Sequence, residues 1–247
     1  MHGRLVHERD GKRKCMHPYG LPGQCIVSIN RRQLNEVMLT EAEKHPNVRL
    51  FFEHKLIHSS LGEKTVVFER LSDKEKIVAS TSLICGCDGA HSALRRSLIS
   101  TPGFSFSQEY IKHGYMELNI NPTKSNEFAM EPNVFHLWPR GSYFMIALAN
   151  VDKTFTVTLF APIDFLQTLK ATNEEETTNL LNFFDTNFPD ALKLIGRQSV
   201  IDTFLRVRPS TLLSVKCHPH HFGDSFVLLG DAAHAMVPFF GQGNFLY

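Results

Sequence analysis

The chain has 247 residues, 43% hydrophobic and 21% charged, with a formal net charge of +1. That is enough for a buried core of one large domain or two intertwined smaller ones, and it excludes the broad basic field of a nucleic-acid or anionic-membrane binder. The five cysteines (Cys15, Cys25, Cys85, Cys87, Cys217) are sparse and odd in number, no secretory leader opens the chain, and no apolar run approaches the ~18 residues of a membrane span, so a soluble chain in a reducing, intracellular compartment is expected.

Residues 24–29 predict a short strand. Asn30 and Gln33 then form a capping-box pair before a helix over about 31–44, with Leu34, Val37, Met38 and Ala42 on one face. Strand-like pieces follow at 48–52, 56–60, 65–69 and 77–80. Residues 82–87 are a compact apolar run that ends at Asp88-Gly89 and leads into a helix through Arg95 and Arg96. A strand entering a glycine turn and then a helix start aims backbone N–H groups at a phosphate. From about Tyr110 the texture changes. Residues 115–120, 134–138, 143–149 and 154–161 are rich in β-branched and aromatic side chains and are separated by Pro, Gly and Asn turns. They predict an antiparallel sheet, and the twenty phenylalanines of the chain suit a sheet that covers a flat apolar ligand. Polar helices are expected over about 163–170 and 174–187. Residues 226–229 are the last expected strand, running into Gly230-Asp231 and a small-residue helix start, Ala232-Ala233-His234.

Two segments carry chemistry. In Cys87-Asp88-Gly89-Ala90-His91-Ser92-Ala93-Leu94-Arg95, the Asp-Gly step after a buried strand is a turn at the least. In Leu229-Gly230-Asp231-Ala232-Ala233-His234-Ala235-Met236-Val237-Pro238-Phe239-Phe240-Gly241-Gln242-Gly243, a carboxylate at a strand end can accept hydrogen bonds from a polyol. The alanine pair lets helix backbone approach a cofactor, and Pro238 with Gly241 and Gly243 lets the chain run flat beside a ring system. Asp231 can also serve as an N-cap. Cys217-His218-Pro219-His220-His221 lacks the spacing of a zinc site and is read as an exposed loop. Cys85-Gly86-Cys87 is a C-x-C in a buried strand, not a redox pair. No metal is expected.

Together the Asp-Gly and Gly-Asp segments resemble the fingerprints of the flavoprotein aromatic hydroxylases. Further segments are similar to the kynurenine 3-monooxygenases within that family: Pro18-Tyr19-Gly20, Ser28-Ile29-Asn30-Arg31, His113-Gly114-Tyr115-Met116-Glu117-Leu118, Met130-Glu131-Pro132-Asn133 and Leu137-Trp138-Pro139-Arg140. The resemblance runs from about Arg4 to Gly243. It implies FAD and NADPH as cofactors, with L-kynurenine and O₂ as small-molecule partners and no nucleic acid. It assigns Arg4 and Tyr19 to the substrate carboxylate, a pairing that suits a guanidinium fork and a phenol. Phe135, Ile146, Leu148, Phe160 and Phe239 are assigned to the apolar walls around the substrate ring. Arg31, Leu56, Asp88, Gly89, Ser92, Arg95, Gly230, Asp231, Pro238, Gly241 and Gly243 are assigned to the cofactor, with Asp231 on the ribityl group.

The resemblance implies an α/β (α+β) fold, in which a Rossmann-like FAD-binding domain carries an inserted antiparallel-sheet substrate domain. The expected division is 1–108 (FAD-binding), 109–205 (substrate sheet with helices) and 206–247 (return to the FAD-binding part). The family opens on a G-x-G-x-x-G turn that holds the FAD pyrophosphate, and none of the 15 glycines here falls in that pattern. The chain is therefore expected to be a fragment lacking that turn, the helix after Gly243 and the family's membrane anchor to the outer mitochondrial membrane, and to be inactive as it stands. The chemistry belongs to the flavin, so no side chain is expected to act as a general base. A non-catalytic product and a flavin hydroxylase of another aromatic substrate are the alternatives.

Overall fold

A computed structural model of the chain describes residues 1–21 and 23–237. Two compact units divide it: residues 1–42 with 112–211, and residues 43–111 with 212–247. The sequence places 1–42 with the FAD-binding part instead. The structure differs because β1 (Gly3–His7) and β2 (Lys14–Pro18) pair as an antiparallel hairpin, and β1 also pairs in parallel with a strand over 130 residues later in the chain. No local signal in either segment reports such a partner.

α1 (Arg31–Glu43) starts where Asn30 accepts hydrogen bonds from the backbone N–H groups of Arg32 and Gln33, at 3.0 and 3.2 Å. Its apolar stripe is not buried, and Val37 and Met38 stay exposed. The strands expected at 24–29 and 48–52 do not form. Their β-branched and aromatic residues satisfy propensity but find no partner strand: Val27, Phe51 and Phe52 are largely exposed.

In the second unit β3 (His54–Ser60), β4 (Thr65–Arg70) and β5 (Lys76–Ser80) form an antiparallel meander. β6 (Ile84–Gly86) then leads to α2 (Ala93–Leu98). The long β7 (Ser105–Ile120) is followed by β8 (Phe135–Arg140), β9 (Tyr143–Ala149) and β10 (Phe155–Pro162). Four helices come next: α3 (Ile163–Thr168), α4 (Glu174–Asn187), α5 (Pro189–Ile195) and α6 (Arg197–Arg206). Asn173 caps α4 and three glutamates fill its first turn, which favours that helix end. Pro189 opens α5, and Gly196, at φ 88°, separates it from α6. The chain ends its described part with β11 (Ser210–His218), β12 (His221–Phe222), β13 (Phe226–Leu228) and α7 (Asp231–His234).

The seven-stranded sheet runs β11-β7-β10-β9-β8-β1-β2. Strand alternation gives it two unlike faces. Met116, Leu118, Trp138, Met145, Ala147, Phe155, Val157 and Leu159 point to one face and are fully buried against Leu166, Leu180, Phe184, Phe188, Leu192 and Phe204 of the helices. Each such large side chain contributes roughly 1.5–3 kcal/mol through burial. The opposite face, in the same strands, is the half-exposed one.

Candidate functional site

The half-exposed face can be read from the register of the strands. Side chains directly opposite one another in neighbouring strands share a face. Arg4 on β1 pairs with Phe135 on β8, and Leu137, two residues further, pairs with Ile146 on β9. Ile146 and Leu148 pair with Thr158 and Thr156 on β10, which pair with Glu117 and Asn119 on β7. Phe160 pairs with Phe144 and Tyr115. Arg4, Phe135, Ile146, Leu148 and Phe160, separated by up to 156 positions in sequence, therefore lie on one face. Tyr19 joins them: the Arg4 guanidinium carbon lies 5.3 Å from the centre of the Tyr19 ring. A cation stacked on a phenol at one side of an apolar wall can take a ligand that is anionic at one end and flat and apolar at the other.

The structure separates these residues as well as grouping them. Phe160 lies with Phe144, stacked at 4.8 Å between ring centres, and with Tyr115 at 6.0 Å. It is three strands from β1 and nearer the opposite end of the sheet from Leu148. Leu137, Phe144 and Tyr115 also belong to this face. Alternation along β8 and β9 would have named the first two, since each is two residues from one that was assigned.

In the second unit, β6 and β13 are neighbouring parallel strands, with Ile84, Cys85 and Gly86 opposite Phe226, Val227 and Leu228. The Asp-Gly and Gly-Asp segments therefore leave the same edge of one sheet, at the carboxyl ends of parallel strands, where open α/β sheets bind ligands. Gly86 permits this closeness: a Cβ there would stand 2.6 Å from the Leu94 side chain and 2.9 Å from that of Leu228. Gly89 and Gly230 both adopt left-handed backbone, φ 77° and 57°, and a Cβ on either would meet only open space.

The polar side chains of the Asp-Gly segment act mainly inward. One Asp88 oxygen accepts from the backbone N–H groups of Ala93 and Leu94 at 2.6 and 3.1 Å, and Ser92 accepts from Arg95 N–H at 2.8 Å, so both hold the start of α2. Arg95 is 2% exposed. It donates to Ala90 O at 2.5 Å and to Ala232 O at 2.6 Å, and its guanidinium lies 4.8 Å from the Phe106 ring centre. It thereby ties the Asp-Gly loop to the Gly-Asp helix, and burial pulls its pKa below the ordinary arginine value. The Cys217 thiol donates to Ala233 O at 3.1 Å from β11, so the 217 segment begins in a strand and not in a loop. Among the described residues no group of three or more His, Cys, Asp or Glu is placed to hold a metal. Cys85 and Cys87 flank buried Gly86 but are exposed, contrary to the buried strand expected, and burial, Cys85 and Asp88 push the Cys87 thiol upward.

Gly230, not Asp231, is the N-cap of α7. Asp231 follows it with its side chain exposed, while Ala232 and Ala233 are fully buried. This leaves a free-standing carboxylate at the strand end beside two open glycine turns, a donor and acceptor set that fits a polyol diphosphate. Leu56 packs on the apolar cluster of Leu94, Leu98, Phe226 and Leu228. Arg31 is exposed at the first position of α1 in the other unit. Phe239, Pro238, Gly241 and Gly243 lie outside the described residues. Among the described residues no helix is long and apolar enough to cross a membrane.

Residues 7–245 match the family described as FAD binding domain. The chain is 53% identical to kynurenine 3-monooxygenase of Caenorhabditis elegans over 98% of its own length and 55% of that protein's. It is 48% identical to kynurenine 3-monooxygenase of Drosophila willistoni over 98% of its length and 52% of the relative's. The chain thus spans about half the length of the curated relatives it matches. Its fold is similar to that of CmlS, a flavin-dependent halogenase, with a TM-score of 0.69, 14% identity and coverage of 99% of this chain and 43% of that one.

Proposed function

This chain belongs to the FAD binding domain family, and from that premise we propose that it carries cofactor and substrate surfaces of a monooxygenase that uses FAD, NADPH and O₂ to hydroxylate L-kynurenine at its 3-position. The observation that carries the substrate is the sheet face of the first unit, where Arg4 stacks on Tyr19 and sits beside Phe135. The guanidinium and phenol hold the amino-acid carboxylate, while Phe135, Ile146 and Leu148 bound the ring and exclude water, with Phe160 further along the same face; Phe239 is proposed for the substrate on the family resemblance alone. The likeness to the curated relatives supports the choice of kynurenine over other aromatic substrates. On the family resemblance we extend the proposal to tryptophan degradation at the outer mitochondrial membrane.

When bound, FAD supplies the redox chemistry that links NADPH oxidation to oxygen insertion. The residues of the second unit fit that cofactor. Asp231 accepts hydrogen bonds from the ribityl hydroxyls, and the open turns at Gly89 and Gly230 let backbone approach its phosphates. Asp88, Ser92 and Arg95 keep those turns in place, and Leu56 belongs to the same unit; Arg31, Pro238, Gly241 and Gly243 are proposed for the cofactor on the family resemblance alone. Asp231→Ala is expected to weaken FAD retention by roughly 1.5–3 kcal/mol, the loss of a charge-assisted hydrogen bond, read as flavin release on dilution. Retention equal to wild type would remove Asp231 from the cofactor site.

The function itself is tested by product formation. Protein carrying this chain, loaded with FAD and given NADPH and O₂, is expected to form 3-hydroxykynurenine from L-kynurenine and to leave a phenolic acid unchanged. Turnover of the phenol without turnover of kynurenine would overturn the substrate.

A further inference from the structure

Polar side chains of β10 interrupt the apolar wall. Thr158 on β10 shares the open face with its register partner Ile146, and Leu137 continues that line on β8. Its neighbour on the same strand and face, Thr156, accepts a hydrogen bond from Asn150 Nδ2 at 3.0 Å. Thr158 is half-buried and has no side-chain hydrogen bond to another described residue. A ligand laid on this wall would take the hydroxyl out of water, and a covered hydroxyl without a partner costs free energy. The ligand must therefore bring a partner, or bind badly.

The position restricts what that partner is. β10 is three strands from β1 in the sheet order, about 14 Å at the usual strand spacing. The Arg4 guanidinium leans over Tyr19, on the β2 side of β1, so it shortens none of that distance, and a hydrogen bond at each end of the ligand takes up part of it. The remainder suits an amino-acid tail, a ketone and one aromatic ring laid across β8 and β9, with an ortho substituent of the ring over β10. In an ortho-amino aryl ketone that substituent is an arylamine, an N–H donor facing a hydroxyl oxygen that can accept. Valine would fill the same space without accepting.

We propose that Thr158 is a specificity-determining residue, accepting a hydrogen bond from the ring amine of an ortho-amino aryl ketone amino acid. This rests on the kynurenine reading and adds to it the group that tells such a substrate from its des-amino counterpart. Glu117, opposite Thr158 on β7, stands one strand further out and is the competing acceptor.

The test compares Thr158→Val with wild type in the FAD-loaded protein, using calorimetric Kd values for L-kynurenine and for des-amino kynurenine. Threonine and valine have nearly the same shape and both favour strands, so the sheet is preserved. Thr158→Val is expected to bind kynurenine roughly five- to tenfold more weakly, one net hydrogen bond, and to bind the des-amino compound as wild type does. Equal losses for both ligands would mean a change of packing and overturn the proposal. So would no loss for either, or an amine-specific loss found in Glu117→Gln but not in Thr158→Val. Wild-type protein that binds neither ligand would overturn the kynurenine reading itself, and this proposal with it.

Discussion

Arg4→Met is expected to raise the KM for kynurenine by at least about thirtyfold while leaving FAD retention unchanged. The guanidinium is exposed and stacked on Tyr19, so methionine keeps an apolar side chain against the ring but removes the charge and the forked donors. Truncating one partner of a desolvated charge pair costs about 2–5 kcal/mol, and 2 kcal/mol is already a factor of about thirty. Arg4→Lys keeps the charge without the fork and is expected to fall between the two. The cofactor residues of the second unit are untouched by these changes, which is why flavin retention serves as the control. An unchanged KM in Arg4→Met, under conditions where KM reports binding, would remove the carboxylate from β1 and with it the direction in which the ligand lies across the sheet.

How far such residues could be read from sequence depended on whether their partners were local. β9 and α4 end where expected, at 143–149 and 174–187, because alternation in one case and an Asn173 cap followed by glutamates in the other are local signals. The two Gly/Asp segments were legible for the same reason: strand, glycine, acid and small residues follow one another in the chain. What stayed hidden was set by partners far away. The hairpin of β1 and β2 has no clean alternation, and its place beside β8 depends on pairing with Phe135, His136 and Leu137. Arg95 belongs by motif to the cofactor, yet its bonds to Ala90 and Ala232 appear only once β6 lies beside β13. Residues 24–29 and 48–52 show the reverse error, since good strand formers remain irregular when no edge is offered to them.

Asp190→Ala is expected to destabilise the protein by about 3–5 kcal/mol, through a buried chain of hydrogen bonds on the helical side of the sheet. His7 Nδ1 lies 2.7 Å from Asp190 Oδ2, His7 Nε2 lies 2.9 Å from His136 Nδ1, and His136 Nε2 lies 2.8 Å from the Glu131 carbonyl. Trp138 Nε1 donates to both Asp190 oxygens at 3.0 Å. His7, His136 and Trp138 are at most 1% exposed. Both ends of the chain only accept, so His7 donates from Nδ1 and His136 from Nε2. Burial holds the His136 pKa down to about 4. Burial alone would raise the Asp190 pKa, but hydrogen bonds from His7 and Trp138 outweigh it and the pKa is lowered. Alanine leaves the buried His7 Nδ1–H and the indole N–H without their acceptor, and each hydrogen bond lost to a carboxylate costs about 1.5–3 kcal/mol. The same groups set the sign of the acid response. A depressed folded pKa means that the unfolded chain binds protons first, so stability is full above 6.5 and falls as pH drops toward about 4. His136 alone accounts for roughly 3 kcal/mol across that window, and Asp190 adds in the same direction. Urea unfolding of wild type and Asp190→Ala at pH 7 and pH 4.5 measures both effects. A cost below about 1 kcal/mol at pH 7, or a wild type no less stable at the lower pH, would show that the chain of imidazoles does not hold β1 to the sheet.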